Sequence, residues 1–212
     1  MQTWRSPFCF QLARFQHGEE RGGSRCEGQV HAPAAAARLV RREDGLRGAG
    51  GGVAPRLRVL CGSGAGGGGL TVAARGAGKS YNDAALNGGG IMLDLSAMNQ
   101  ILEWNPATGL VRCEPGVTIE KLWQRVEPEG WWPPVVSGTM FTTLGGCLSA
   151  NIHGKNNFKM GTIGEHVLEF TAILPNGTDV TCSPQKNAEL FYAMISGLGM
   201  LGIFTSITLQ MK

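Results

Sequence analysis

The residues best suited to chemistry begin at Arg75-Gly76-Ala77-Gly78-Lys79-Ser80-Tyr81-Asn82-Asp83. Two glycines, a cation and a hydroxyl follow an apolar run. Glycine lets successive backbone N–H groups turn toward one anion with no Cβ in the way, so the loop reads as a phosphate cradle. A bare Gly-x-Gly is also an ordinary tight turn after a strand, and alone it decides little. Gly78-Lys79-Ser80 ends like a P-loop, with Ala73 in the place of its first glycine. A P-loop lysine and serine open a long helix, yet here Gly88-Gly89-Gly90 arrives eight residues after Ser80. The next apolar strand, Ile91 to Asp94, comes too soon for a parallel crossover through a helix. A dinucleotide Rossmann loop lacks its third glycine, because Tyr81 stands there. Nucleotide hydrolysis is therefore the weaker alternative.

Three further motifs follow. Ser137-Gly138-Thr139 runs on to Thr143-Leu144-Gly145-Gly146, then comes Asn151-Ile152-His153-Gly154-Lys155-Asn156, and last Gly197-Leu198-Gly199-Met200-Leu201-Gly202-Ile203. A lone histidine such as His153 is more often a satisfied structural residue than a base. A lone lysine such as Lys155 has a solvated surface role as its plain alternative.

The elements that must position these residues are short. Leu70 to Ala74 and Ile91 to Leu95 read as buried strands. Ile101 to Trp104 and Leu110 to Cys113 flank Asn105-Pro106-Ala107-Thr108-Gly109, a hairpin loop. Ile119, Leu122, Trp123 and Val126 fall on one face of a helix over Thr118 to Val126. Val167 to Leu174 and Asp179 to Cys182 flank Pro175-Asn176-Gly177, a second hairpin. Ser183-Pro184 predicts a helix start running to about Ile195, with Gly197 and Gly199 as stops. Ile203 to Met211 alternates as a half-buried strand does. The class is α+β, with hairpins predominating over β-α-β units.

Residues 1 to 69 have a different texture. They carry ten Arg, no Lys and five acidic residues, a net +5, against −2 for the remainder and +3 overall. Val30 to Val40 suggests a short strand and helix, while Gly45 to Gly69 reads as disorder or a long loop. A basic arm attracts nucleic acid or anionic membranes, but it lacks the interleaved aromatics and clustered basic runs of recognition, so no nucleic-acid partner is expected. Six cysteines stand at 9, 26, 61, 113, 147 and 182 without metal-ligand spacing. Reduced thiols in a cytoplasmic protein are expected, with no metal site. No segment has eighteen consecutive apolar residues, so no spanning helix is expected.

Taken in order and spacing, the four motifs resemble those of FAD-binding flavoproteins of the vanillyl-alcohol oxidase and p-cresol methylhydroxylase (PCMH) type, within them the sugar and alditol oxidases. The resemblance covers about Leu70 to Lys212, roughly two thirds of the chain. It implies an FAD-binding domain of two α/β subdomains over residues 70–212, the N-terminal one incomplete, and no C-terminal substrate domain after Lys212. In such proteins the first loop wraps the FAD pyrophosphate. That implies contacts from Arg75, Gly76, Ala77, Gly78, Lys79, Ser80, Tyr81 and Asp83, by charge-assisted bonds about twice as strong as neutral ones. Gly138 and Thr139, then Thr143, Leu144, Gly145 and Gly146, pass close to the flavin and its ribityl chain. His153, Gly154, Lys155 and Asn156 lie beside the isoalloxazine, and Ile203 near the other end of the cofactor.

Members that attach FAD covalently often use a histidine where this chain has Lys79, so the resemblance implies non-covalent FAD and makes His153 a cofactor contact. Lys155 becomes the substrate-side candidate, since an ammonium near the flavin holds a hydroxyl or stabilises the anionic reduced ring. The implied activity is oxidation of a CH–OH group on a sugar-like or alditol substrate, with oxygen or a quinone reoxidising the flavin. Trp131-Trp132-Pro133-Pro134 resembles a packing segment before the Gly-Thr motif.

Overall fold

The computed structural model describes residues 58–61, 71–88 and 90–212. The strand and helix expected at Val30 to Val40 lie outside these residues. The first sheet has three strands in the order β1-β3-β2, formed by β1 (Arg58–Cys61), β2 (Val72–Arg75) and β3 (Ile91–Asp94). The second has five, in the order β4-β5-β8-β6-β7: β4 (Ile101–Asn105), β5 (Leu110–Cys113), β6 (Val167–Ile173), β7 (Asp179–Cys182) and β8 (Ile203–Gln210). Every pair in the second sheet is antiparallel, so the α+β class and the two hairpins stand.

Three expectations are corrected. Arg58–Cys61 is a strand, antiparallel to β3, inside the stretch expected to be loop or disorder. Its Arg-Val-Leu-Cys has the β-branched and apolar residues a strand needs, and pairing with β3 supplies the partner that local composition could not reveal. Second, β2 and β3 are parallel, with Val72 opposite Ile91. The fifteen residues Gly76 to Gly90 suffice for the crossover, made of turns rather than a helix among the described residues. Third, the helix expected from Ser183 begins later, as α4 (Ala188–Met194) with Asn187 as its N-cap. Ser183 spends its hydroxyl on a local turn, accepting from the amides of Gln185 and Lys186 at 3.3 and 3.1 Å.

Helix α1 (Ile119–Val126) forms as expected, with Thr118 Oγ1 accepting from the Lys121 amide and Ile119, Leu122 and Val126 buried. Two short helices were not read from the sequence: α2 (Leu144–Ser149) and α3 (Asn157–Met160). The main core gathers Val111, Leu122, Leu144, Leu148, Phe170, Phe191, Phe204 and Ile207, among others, between the second sheet and α1, α2 and α4. A second cluster, Val72, Ile91, Leu93 and Leu95 with Ile173 and Ile203, joins the two sheets.

Strand β8 carries an irregularity that matters for alignment. Thr171 pairs with Ser206 and Ala172 with Phe204, leaving Thr205 as an additional residue in β8. The extra residue lets two adjacent hydroxyls meet one partner, as a bulge does. Thr171 Oγ1 lies 2.7 Å from Thr205 Oγ1 and 2.8 Å from Ser206 Oγ.

Phe170 stacks on Phe191 with ring centroids 5.3 Å apart and meets Phe204 edge-on at 4.9 Å. Phe170→Ala removes the centre of this trio and is expected to cost about 3–5 kcal/mol, read as a lowered urea midpoint at unchanged slope. Cys113 and Cys147 are buried free thiols. Burial pushes Cys113 from 9.0 up to about 12 and Cys147 up to about 11. In that interval the unfolded chain has lost thiol protons that the folded chain retains, so stability falls as pH rises above 9.0. Urea midpoints taken across this alkaline range should decline, and Cys113→Ala should flatten the decline.

Candidate functional site

The four sequence motifs are linked by a series of contacts: the first touches the second, and the third and fourth dock on the segments just before and just after it. Directly after β2, Arg75 turns its carbonyl to the Leu95 amide at 2.8 Å and folds its guanidinium over Gly78. Gly78 has φ +61°, the left-handed region that glycine enters without strain. Among the described residues, no amide from Gly76 to Tyr81 donates a hydrogen bond to another group of the chain. A row of donors on a glycine loop beside a lysine fits a pyrophosphate, and so fits FAD. Lys79 and Ser80 are exposed and open no helix among the described residues, which removes the P-loop alternative. Tyr81 stands 92% exposed, and Asp83 accepts the Leu86 amide at 2.8 Å on the next turn.

The second motif is pressed against the first. A Cβ on Gly76 would collide with the Thr143 hydroxyl, so the two chains approach as closely as glycine allows. Lys79 Nζ lies 6.0 Å from the centroid of the Phe141 ring, within cation–π range. Phe141, half exposed between Thr139 and Thr143, is a site residue that the motif reading passed over. Its signal was an aromatic between two Thr-Gly elements. Gly138 is exposed and open on its Cβ side, and the Thr139 carbonyl accepts from the Ser137 hydroxyl at 3.0 Å.

Within α2 the amides divide their duties. Leu144 and Gly145 donate to the carbonyls of Val117 and Pro115 at 2.7 and 2.8 Å. The Leu144 side chain is 1% exposed, in the main core. These two residues hold the motif in place. Gly146 is exposed on the same turn. The turn that receives them, Glu114-Pro115-Gly116, was the missed positioning element; its Pro-Gly pair after a strand was the available signal.

The third motif docks on the segment leading to the second. A Cβ on Gly154 would lie 2.7 Å from the Val136 carbonyl oxygen, and Asn156 Nδ2 donates to the Pro134 carbonyl at 3.2 Å. His153 pairs with Thr162 as a β-bridge and is exposed, as is Lys155. The fourth motif closes the set. Leu198 donates to the Ser149 carbonyl at 2.9 Å and Ser196 to Leu148 at 3.1 Å, tying this loop to the end of α2. Leu198 has φ +51°, an uncommon conformation for a branched side chain and one that marks a constrained loop. Ile203 begins β8 with its side chain in the cluster that joins the sheets.

The described residues hold no group of three or more His, Cys, Asp or Glu able to bind a metal, and no helix long and apolar enough to cross a membrane.

A sequence profile of an FAD-binding domain matches residues 65–183. Decaprenylphosphoryl-beta-D-ribose oxidase of Mycolicibacterium smegmatis is 39% identical over 145 residues, which cover 68% of this chain and 32% of that protein. Cytokinin dehydrogenase 3 of Oryza sativa is 36% identical over 64% of this chain and 27% of its own length, and L-gulonolactone oxidase of Bos taurus 30% identical over 64% and 30%. The chain thus spans about a third of the length of these relatives. With a free-amide glycine loop and three further motifs gathered around it, and with more than half its residues matched by the profile, the chain belongs to the PCMH-type FAD-binding flavoprotein family.

Proposed function

We propose that the chain is the FAD-binding part of an oxidoreductase that oxidises a CH–OH group of a sugar-like or alditol substrate. The observation that carries its FAD-binding part is the row of amides from Gly76 to Tyr81 that have no partner among the described residues, set against Thr143. FAD, when bound, supplies N5 as the hydride acceptor, and oxygen or a quinone reoxidises it. The chain's own residues bind and orient. Gly76 to Tyr81, with Arg75 and Asp83 framing them, take the pyrophosphate, while Gly138, Thr139, Thr143 and Gly146 line the path toward the ring and Leu144 and Gly145 hold them in place from the core side. His153, Gly154, Lys155 and Asn156 sit beside the ring, Lys155 toward the substrate.

Lys79 stands where covalent members carry a histidine, so the cofactor is held non-covalently. The sugar-like substrate is supported by relatives named for a decaprenylphosphoryl ribose and for gulonolactone. A cytokinin dehydrogenase among the relatives means that what their names share is oxidation rather than one substrate. Residues 70–212 form the cofactor domain in this reading.

The purified protein should show a flavin absorption spectrum, with the cofactor freed by heat or acid. Colourless protein that neither takes up added FAD nor is stabilised by it would sink the proposal. Gly76→Ala should weaken FAD binding by roughly tenfold or more, about 1.4 kcal/mol. Adding Thr143→Ala, which removes the colliding hydroxyl, should restore part of that loss. The role of Lys155 is testable without a substrate. Sulfite forms an anionic adduct at flavin N5, and Lys155→Met should weaken it about tenfold while leaving FAD bound.

A further inference from the structure

We infer that His166 is a positioning residue, which braces the segment carrying His153 to Asn156 in the conformation that meets the flavin; this rests on the FAD reading above. Residues 151 to 166 form a loop with a closed neck. The Ile163 amide donates to the Ile152 carbonyl at 2.9 Å, His153 bridges Thr162, and Asn151 Oδ1 accepts from the Gly164 amide at 3.0 Å. Asn151 itself has φ +43°, so the neck is fixed in direction as well as pairing. The return limb is stiffened by a capping box, in which Thr162 and Glu165 exchange side-chain and backbone bonds around the 3-10 turn Ile163–His166.

The tip of this loop, Lys155 to Met160, has less to hold it. One side rests on Pro134 and Val136 through Asn156 and Gly154. The other ends in α3, a helix of four residues, whose last carbonyls have no intrahelical partner. His166 reaches back from the return limb and places Nε2 at 2.8 Å from the Met160 carbonyl oxygen. A carbonyl can only accept, so Nε2 carries the proton. The half-buried ring therefore satisfies an end-of-helix carbonyl and ties the tip to the stiff limb. A helix this short has no stability of its own. Without the bond, α3 and the Lys155–Asn156 turn that leads into it lose their main-chain anchor on that side and keep, among the described residues, the exposed contact of Lys212 Nζ with Met160 Sδ at 3.2 Å.

The test compares His166→Gln, whose amide can keep an N–H donor near the position of Nε2, with His166→Leu, which fills similar space without one. Hydrogen exchange in the FAD-free protein should show amides 155 to 161 opening about fivefold faster in His166→Leu, with β6 and β8 unchanged. After FAD is added, the same variant should bind about fivefold more weakly and show an altered visible circular dichroism of the bound flavin. His166→Gln should restore both. Wild-type exchange in His166→Leu overturns the brace. Faster exchange with unaltered flavin affinity and dichroism overturns the positioning role. Failure of His166→Gln to improve on His166→Leu does so as well, by assigning the effect to ring packing. A wild-type protein that binds no FAD is a separate outcome, which overturns the flavin reading and the positioning role with it, while the exchange arm still decides the brace.

Discussion

The junction of main chain with main chain around Thr143 is the constraint on which the site depends. The Leu144 and Gly145 amides are held by the carbonyls of Val117 and Pro115, Thr143 bridges Thr118, and the Gly116 amide returns to Met98 at 2.7 Å. Gly76 arrives from the first sheet and touches the same threonine. Three chain segments far apart in sequence are thereby fixed in close contact, at glycines where a Cβ would collide. The hydrophobic clusters bring the two sheets together. This junction sets how the glycine loop lies against α2.

That division explains what could be read from the residues in order. Loops rich in glycine, followed by His-Gly-Lys-Asn, are legible because a backbone that must approach a ligand or another backbone leaves glycine where a side chain would intrude. Strands β2 to β7 are legible as short apolar runs bounded by turn residues, and β8 and helix α1 because their apolar residues repeat at the proper period. The start of α4 was misplaced because Ser183 and Asn187 are both competent caps, and the competing turn at Ser183 to Lys186 is a local hydrogen-bond choice. Strand β1 lies in a stretch dominated by Gly, Ala and Arg, and its identity as a strand comes from β3, thirty residues away. The direction of β3 was misjudged for a related reason: a crossover built from turns leaves no helical period to count.

Helices α2 and α3 were hidden by their brevity. Six residues in Leu144–Ser149 and four in Asn157–Met160 cannot show an amphipathic period. Both are supported from outside, α2 by core burial of Leu144, Cys147 and Leu148, and α3 by the carbonyl contact of His166. Site residues on such elements inherit their geometry from neighbours. Thr143, Lys155 and Asn156 are recognisable by type in the sequence, while of the groups that aim them Pro134 lies in the Trp-Trp-Pro-Pro segment, Pro115 shows only as a Pro-Gly turn, and Val136 and His166 belong to no recognisable motif.

The three hydroxyls where β6 meets β8 act as a proofreading device for strand alignment. Thr171, Thr205 and Ser206 satisfy one another only when Thr205 is the extra residue. Sliding β8 by one position would set Thr171 against Ile207 or against Thr205 alone and leave buried hydroxyls without partners, at about 1–3 kcal/mol each. Since β8 is the central strand of its sheet and carries Ile203 into the cluster beneath the glycine loop, an error there would be transmitted to the cofactor end. A hydroxyl triplet at the middle of the sheet thus disfavours misaligned versions of the fold before any cofactor arrives.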